Sequence, residues 1–185
     1  MMEEKSTFWK SAMTAGLYLG IILIVYNVIL YATGQNLNTS LGIISYAIMA
    51  AGVVHYQLQY RNHELGGFIS YGKAFGYGVS LMAFAGIIQS AYTVILMKYI
   101  DPGLIDQIRI MQEEQMLKQG VPDEQIEMAS QIMGVFQNPL IIAFSGLLTF
   151  AFIGVIISLV SSIYVKKQDD ENAFEDAMSD LKSEE

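Results

Sequence analysis

Apolar residues come in four long blocks separated by short polar joints and one long polar insert. No Asp, Glu, Lys or Arg occurs in residues 11–60, 74–97 or 128–165. A helix rises about 1.5 Å per residue, so roughly 20 apolar residues cover the hydrocarbon of a bilayer. Four segments reach that length, at about 9–31, 41–58, 75–99 and 140–164. The joint GQNLNTS, with Gly34, Asn36 and Asn38, is a turn that sets the first two spans antiparallel. RNHELGGFISYGK joins the second and third. The predicted fold class is therefore an all-α membrane protein with four transmembrane helices. The first block is longer than a signal-peptide core of about 7–15 residues and lacks a small-residue cleavage site, so it reads as an uncleaved span.

The long insert, 101–138, carries its own helical pattern. Asp101-Pro102-Gly103 makes a turn, after which Leu104, Ile108 and Met111 recur at helical spacing until Gly120. Pro122, Asp123 and Glu124 suit the first turn of a second helix, and Ile126, Ala129, Met133 and Phe136 form its apolar stripe. Asn138-Pro139 ends that helix. The insert is thus predicted to be a helical hairpin. Phe174, Ala177, Met178 and Leu181 repeat the pattern weakly in the tail, 168–185, which otherwise reads as a disordered acidic segment beyond a transmembrane domain of residues 1–167.

Charge orients this arrangement. Lys5, Lys10, Arg61, Lys73, Lys166, Lys167 and Lys182 fall on one side of the predicted spans, and Lys98, Arg109 and Lys118 on the other. Cytoplasmic loops retain Lys and Arg, so both termini are expected inside and the hairpin outside. That placement implies a multi-pass membrane protein. The overall charge is −8. The insert holds seven acids against two bases, a net of −5, and residues 166–185 hold eight against three, also −5. No basic stripe is present to neutralise phosphates, which argues against nucleic acid as a partner. Without cysteine there is no disulfide, iron–sulfur cluster or thiolate metal site. No catalytic, cofactor-binding or metal-ligating set is expected.

SYGKAFGYG, at the entrance to the third span, is rich in glycine without the preceding strand that a nucleotide loop requires. It reads instead as a helix-packing surface. Gly72 and Gly76 are four apart, as are Ala74 and Gly78, with Gly86 and Ser90 beyond. Matching small residues occur as Ala12, Gly16 and Gly20, as Ala47 and Ala51, and as Gly154, Ser158 and Ser162. Such stripes let helix backbones approach closely where lipid supplies no hydrophobic drive. Lys73 is expected to snorkel to the headgroups.

The intramembrane polar candidates are Asn27 and Gln89, near the middle of the first and third spans, with Ser145, Thr149 and Ser158 along the fourth. An unpaired amide in hydrocarbon is costly, so each is expected to make an interhelical hydrogen bond; the alternative is a polar lining to a substrate path. His55, His63 and Glu64 lie near the inner end of the second span. Their spacing matches no recognised metal motif, and solvated interface residues are the plain reading. An acid–base role for His63 with Glu64 is the sharper one.

SYGKAFGYG, the YIDPGLID turn and the VPDEQIE restart resemble the domain of unknown function 4199 family, small inner-membrane proteins found mainly in Bacteroidetes. The likeness runs from about Lys5 to Lys167. It implies a four-helix, multi-pass protein of a bacterial inner (cytoplasmic) membrane, assigns no activity, and transfers no site residue. Taken together, the sequence points to a non-enzymatic accessory subunit of an envelope complex, in contact with lipid and with a protein partner or a second copy. A small transporter or channel is the alternative, and a lipid-directed enzyme using His63 and Glu64 a third.

Overall fold

The computed structural model describes residues 2–135 and 138–167. Among them are six α-helices: α1 Met2–Ala32, α2 Thr39–Glu64, α3 Tyr71–Ile95, α4 Leu104–Lys118, α5 Asp123–Val135 and α6 Pro139–Val165. The expected tail helix and Phe136 lie outside the described residues. Four helical stretches are long and apolar enough to cross a membrane: Thr7–Ala32, Thr39–Glu64, Tyr71–Ile100 and Pro139–Val165. These contain the four predicted segments and extend the second by two residues at its start and six at its end.

Local chemistry sets the helix starts. The Asn38 side chain accepts from the amides of Ser40 and Leu41, and the Asn138 side chain from Leu140, with Pro139 in the first turn. Ser70 accepts from the Lys73 amide, which places the start of α3 at Tyr71. Each cap satisfies amide donors that the helix itself leaves unpaired. Gly34 and Gly120 end α1 and α4 with positive φ, +68° and +77°, a region that costs glycine nothing. After Ile95 the third span widens into a π turn, Leu96–Ile100, closed by Asp101 N donating to Leu96 O at 2.7 Å.

Helix α3 is central, packing most extensively on α6 and α1, whereas α2 lies more lightly against all three. Hydrogen-bonded ties mark the two ends of the bundle. Ile69 and Lys167 exchange a pair of backbone hydrogen bonds, and Arg61 Nη1 donates to Val165 O at 3.0 Å, so the α2–α3 joint and the end of α6 share one face. Arg61 also meets the negative end of the α6 dipole there. At the opposite face the Tyr31 hydroxyl donates to Asp101. We call these the basic end and the hairpin end. Long apolar side chains such as Ile29, Phe152 and Tyr164 point outward along the spans, an exposure that lipid tolerates and water does not.

Helix contacts follow the small residues selectively. A Cβ on Gly16 would lie 2.6 Å from Leu81 O and from Phe84 Cβ, and one on Gly20 3.0 Å from Ile88 Cβ. Gly86 meets Phe150 and Gly154 meets Met82 in the same way, while Gly78 faces the Ser158 side chain and Gln57. Gly72 and Gly76 differ from expectation. A Cβ at either meets no described atom within 4 Å. Both lie on α3 before its closest approaches to α1 and α6, turned away from the faces that Ala74 and Gly78 present. Ala47 and Ala51 are exposed too, and α2 packs instead through Met49, Val53, Gln57 and Tyr60.

Candidate functional site

The two ends and the middle of the bundle hold different polar features. At the basic end, α1 and α2 diverge to leave a crevice of about 660 Å³ with Tyr77 of α3 at its floor. Helix α1 lines it with Thr7, Lys10, Ser11, Thr14 and Tyr18, a polar stripe at i, i+3, i+4, i+7 and i+11, and with Ala15 beside them. Helix α2 answers with His55, Tyr56, Gln59, Tyr60, His63 and Glu64. Because the helices run antiparallel, Lys10 shares the mouth with His63 and Glu64, and Tyr18 lies deeper beside His55 and Tyr56. The floor is rigid: Tyr60 and Tyr77 stack with ring centroids 4.3 Å apart, Phe8 packs edge-on against both, and Ser11 Oγ and Tyr77 Oη are 3.0 Å apart. Thus His55, His63 and Glu64, distant in sequence from Lys10 and Ser11, share one site. Among the described residues no three His, Asp or Glu side chains converge as a metal site would need.

A second polar space, about 290 Å³, opens between all four spans toward the hairpin end. Asn27 and Gln89 both line it, with Ser45, Ser90, Thr93 and Thr149. Neither amide makes the interhelical bond expected of it. Asn27 Nδ2 donates to Leu23 O one turn back in its own helix, and Gln89 Oε1 is buried without a partner among the described residues. The two point into a common space instead of at each other's helices, which leaves the lining reading in place. Ser90 does bridge helices, donating to Ala143 O at 3.0 Å, whereas Ser145 is exposed and only its carbonyl is used, by Thr149.

A fully buried interhelical polar contact involves a residue that the sequence analysis does not single out. Gln57 is fully buried and donates through Nε2 to Ala74 O at 2.9 Å and to Ser162 Oγ at 3.3 Å, tying α2 to α3 and α6. Ser158, against Gly78, completes the cluster. Its signal in the sequence was faint: a glutamine inside VVHYQLQY, near the end of an apolar block. The crevice stripe left a clearer trace, since Thr7, Lys10, Ser11, Thr14 and Tyr18 recur at helical spacing along an otherwise apolar span, and His55, Gln59 and His63 recur every four residues.

Between the third and fourth long apolar helices, α4 and α5 contact each other, and Ser130 Oγ donates to Glu113 Oε1 at 2.6 Å. Leu104 and Ile126 are buried, but Ile110, Leu117, Met128 and Ile132 stay more than half exposed on helices that carry the acidic insert.

Comparison with known proteins adds the family. The model of a family described as protein of unknown function (DUF4199) matches residues 14–167. No curated protein and no solved structure matches the chain.

Proposed function

The chain belongs to this family of proteins of unknown function, and from its geometry we propose that it is a non-enzymatic accessory subunit of a bacterial envelope complex, docking through the α4–α5 hairpin. The observation that carries this reading is the hairpin's surface. Its two helices bury little beyond each other, and four large apolar side chains remain half or more exposed: Ile110 51%, Leu117 55%, Met128 60% and Ile132 62%. The spans have lipid to cover such residues; a polar, acidic helix pair does not settle on anionic headgroups. The positive-inside bias supports a hairpin outside an inner membrane, with both ends of the domain in the cytoplasm. With a net of −5 on the insert, two hairpins repel, so the occupant is a different polypeptide with an apolar surface rimmed by Lys and Arg.

Photo-crosslinking in native membranes tests this. A benzoyl-phenylalanine at Leu117 or Ile132 is expected to capture one protein at high yield. The same probe at Tyr164, on the lipid face, captures none. A Leu117→Ser, Ile132→Ser double variant keeps its membrane insertion and loses the partner. Equal capture from all three probe positions, or a partner retained by the double variant, overturns the proposal.

A second reading, transport, is supported by the cavity that gathers Asn27 and Gln89. In proteoliposomes, polar-solute flux through the wild type is expected to fall about tenfold in Asn27→Leu, Gln89→Leu if that cavity lies on a path, since each hydrogen bond lost to a permeant is worth about 1 kcal/mol. Flux that is absent from the wild type, or unchanged in the variant, removes this reading.

A further inference from the structure

The crevice at the basic end is not used by either reading above, and its chemistry is specific enough to name an occupant. Polar side chains on a spanning helix are costly against lipid, so they cluster where they face protein, water or a ligand. Here two polar stripes from neighbouring helices face each other. From Thr7 to Tyr18, α1 rises about 16 Å at 1.5 Å per residue, close to the thickness of one leaflet's hydrocarbon, about 15 Å. The crevice therefore runs from the membrane surface to the acyl-chain region. Its mouth is also open sideways, since Lys10, Thr14, His55 and Gln59 are exposed and Tyr18 is 54% exposed.

The lining changes character along this depth. At the mouth stand the Lys10 ammonium and the His63 imidazole, with the Ser11 and Thr14 hydroxyls just below. These are donors, the groups that hold phosphoryl oxygens. Glu64, the one carboxylate of the lining, sits at the rim, where it can accept from an ammonium. Deeper, Tyr18, Tyr56 and Ala15 present mostly carbon to an aliphatic chain, while the phenols stay near the polar stripe. A volume of about 660 Å³ lies within the range of small-molecule sites, about 300–1,000 Å³. It takes a headgroup and the start of its chains, and the lateral opening lets the remainder lie in the bilayer.

We propose that this crevice binds the phosphoryl group of a phosphate ester, with Lys10 and His63 on the phosphoryl oxygens and the α1–α2 opening able to pass acyl chains to the leaflet. The same chemistry could come from a membrane phospholipid or from a soluble phosphate ester, and the test separates them.

The full-length protein, purified in a mild detergent, is titrated with phosphatidylethanolamine, with diacylglycerol and with glycerol phosphate, and bound species are counted by native mass spectrometry. One phosphatidylethanolamine per chain is expected to be retained. Retention falls about tenfold or more in Lys10→Gln, His63→Gln, because each charge-assisted hydrogen bond is worth about 1.5–3 kcal/mol. All substituted side chains are exposed, so the variant keeps its helicity and its thermal transition. Lys167→Gln, a cation at the same end but outside the crevice, retains lipid as the wild type does. Retention of the lipid without glycerol phosphate assigns the bilayer as the source; equal retention of glycerol phosphate assigns the soluble pool. Diacylglycerol held as well as the phospholipid overturns the proposal, as does retention unchanged in the double variant.

Discussion

Replacing Gly16 with alanine is expected to lower the unfolding free energy by about 1–3 kcal/mol, the usual cost of overpacking a well-packed contact. The added methyl would lie 2.6 Å from Leu81 O and 3.1 Å from the Ala85 amide nitrogen. Both are backbone atoms of a helix, so no side chain can rotate out of the way, and α1 must move off α3. Since close van der Waals contact is what holds spans together, the loss is not recovered by burial elsewhere. Gly72→Ala and Gly76→Ala provide the contrast. Neither new methyl meets a described atom within 4 Å, and alanine is the better helix former by about 0.5–1 kcal/mol. Those two variants are expected to be neutral or slightly stabilising. Reversible unfolding in mixed detergent micelles, followed by circular dichroism, measures all three. A Gly16→Ala transition coincident with the wild type would mean that the α1–α3 approach is looser than described.

Gln57→Ala is expected to cost about 2–4 kcal/mol, combining a cavity in the buried centre with the loss of two hydrogen bonds. The side chain is fully buried and spans three helices through Ala74 O and Ser162 Oγ. Gln57→Leu keeps most of the volume and removes only the polar contacts, so it is expected to cost about 1 kcal/mol, the scale of hydrogen bonds between spans. It also removes Oε1, which is buried without a partner among the described residues. The same unfolding assay decides between packing and polarity. If leucine is as damaging as alanine, the hydrogen bonds carry the contact; if leucine matches the wild type, shape alone does.

These two residues show where sequence reasoning reached and where it stopped. The Gly16 stripe was legible because small residues at four-residue spacing in an apolar run have few other uses. The spacing alone could not separate Gly16 and Gly78 from Gly72 and Gly76. Which side of a helix meets a neighbour depends on the helix's rotation, and that is a property of the whole bundle. Gln57 was passed over because a lone amide near the end of a span looks like an interface residue. Only the approach of α3 and α6 reveals that its surroundings are protein. Asn27 and Gln89 illustrate the converse. The sequence predicts an interhelical bond for each from a mid-span position, whereas Asn27 lies near the hairpin end of the Thr7–Ala32 span and the two amides line a shared cavity.

The sequence by itself determined the number of long apolar helices, the turns that separate them, and the family. Those features rest on local rules: length against bilayer thickness, capping by Asn38, Ser70 and Asn138, and glycine where φ is positive. Tertiary structure alone decided the crevice. Lys10 and His63 lie 53 positions apart in the chain, and nothing in either neighbourhood refers to the other. They share a mouth because α1 packs closely on α3 through Gly16 and Gly20, while α2 meets α1 deeper in the bundle, where Gly52 accommodates Leu19, and the crevice opens between the two helices toward the basic end.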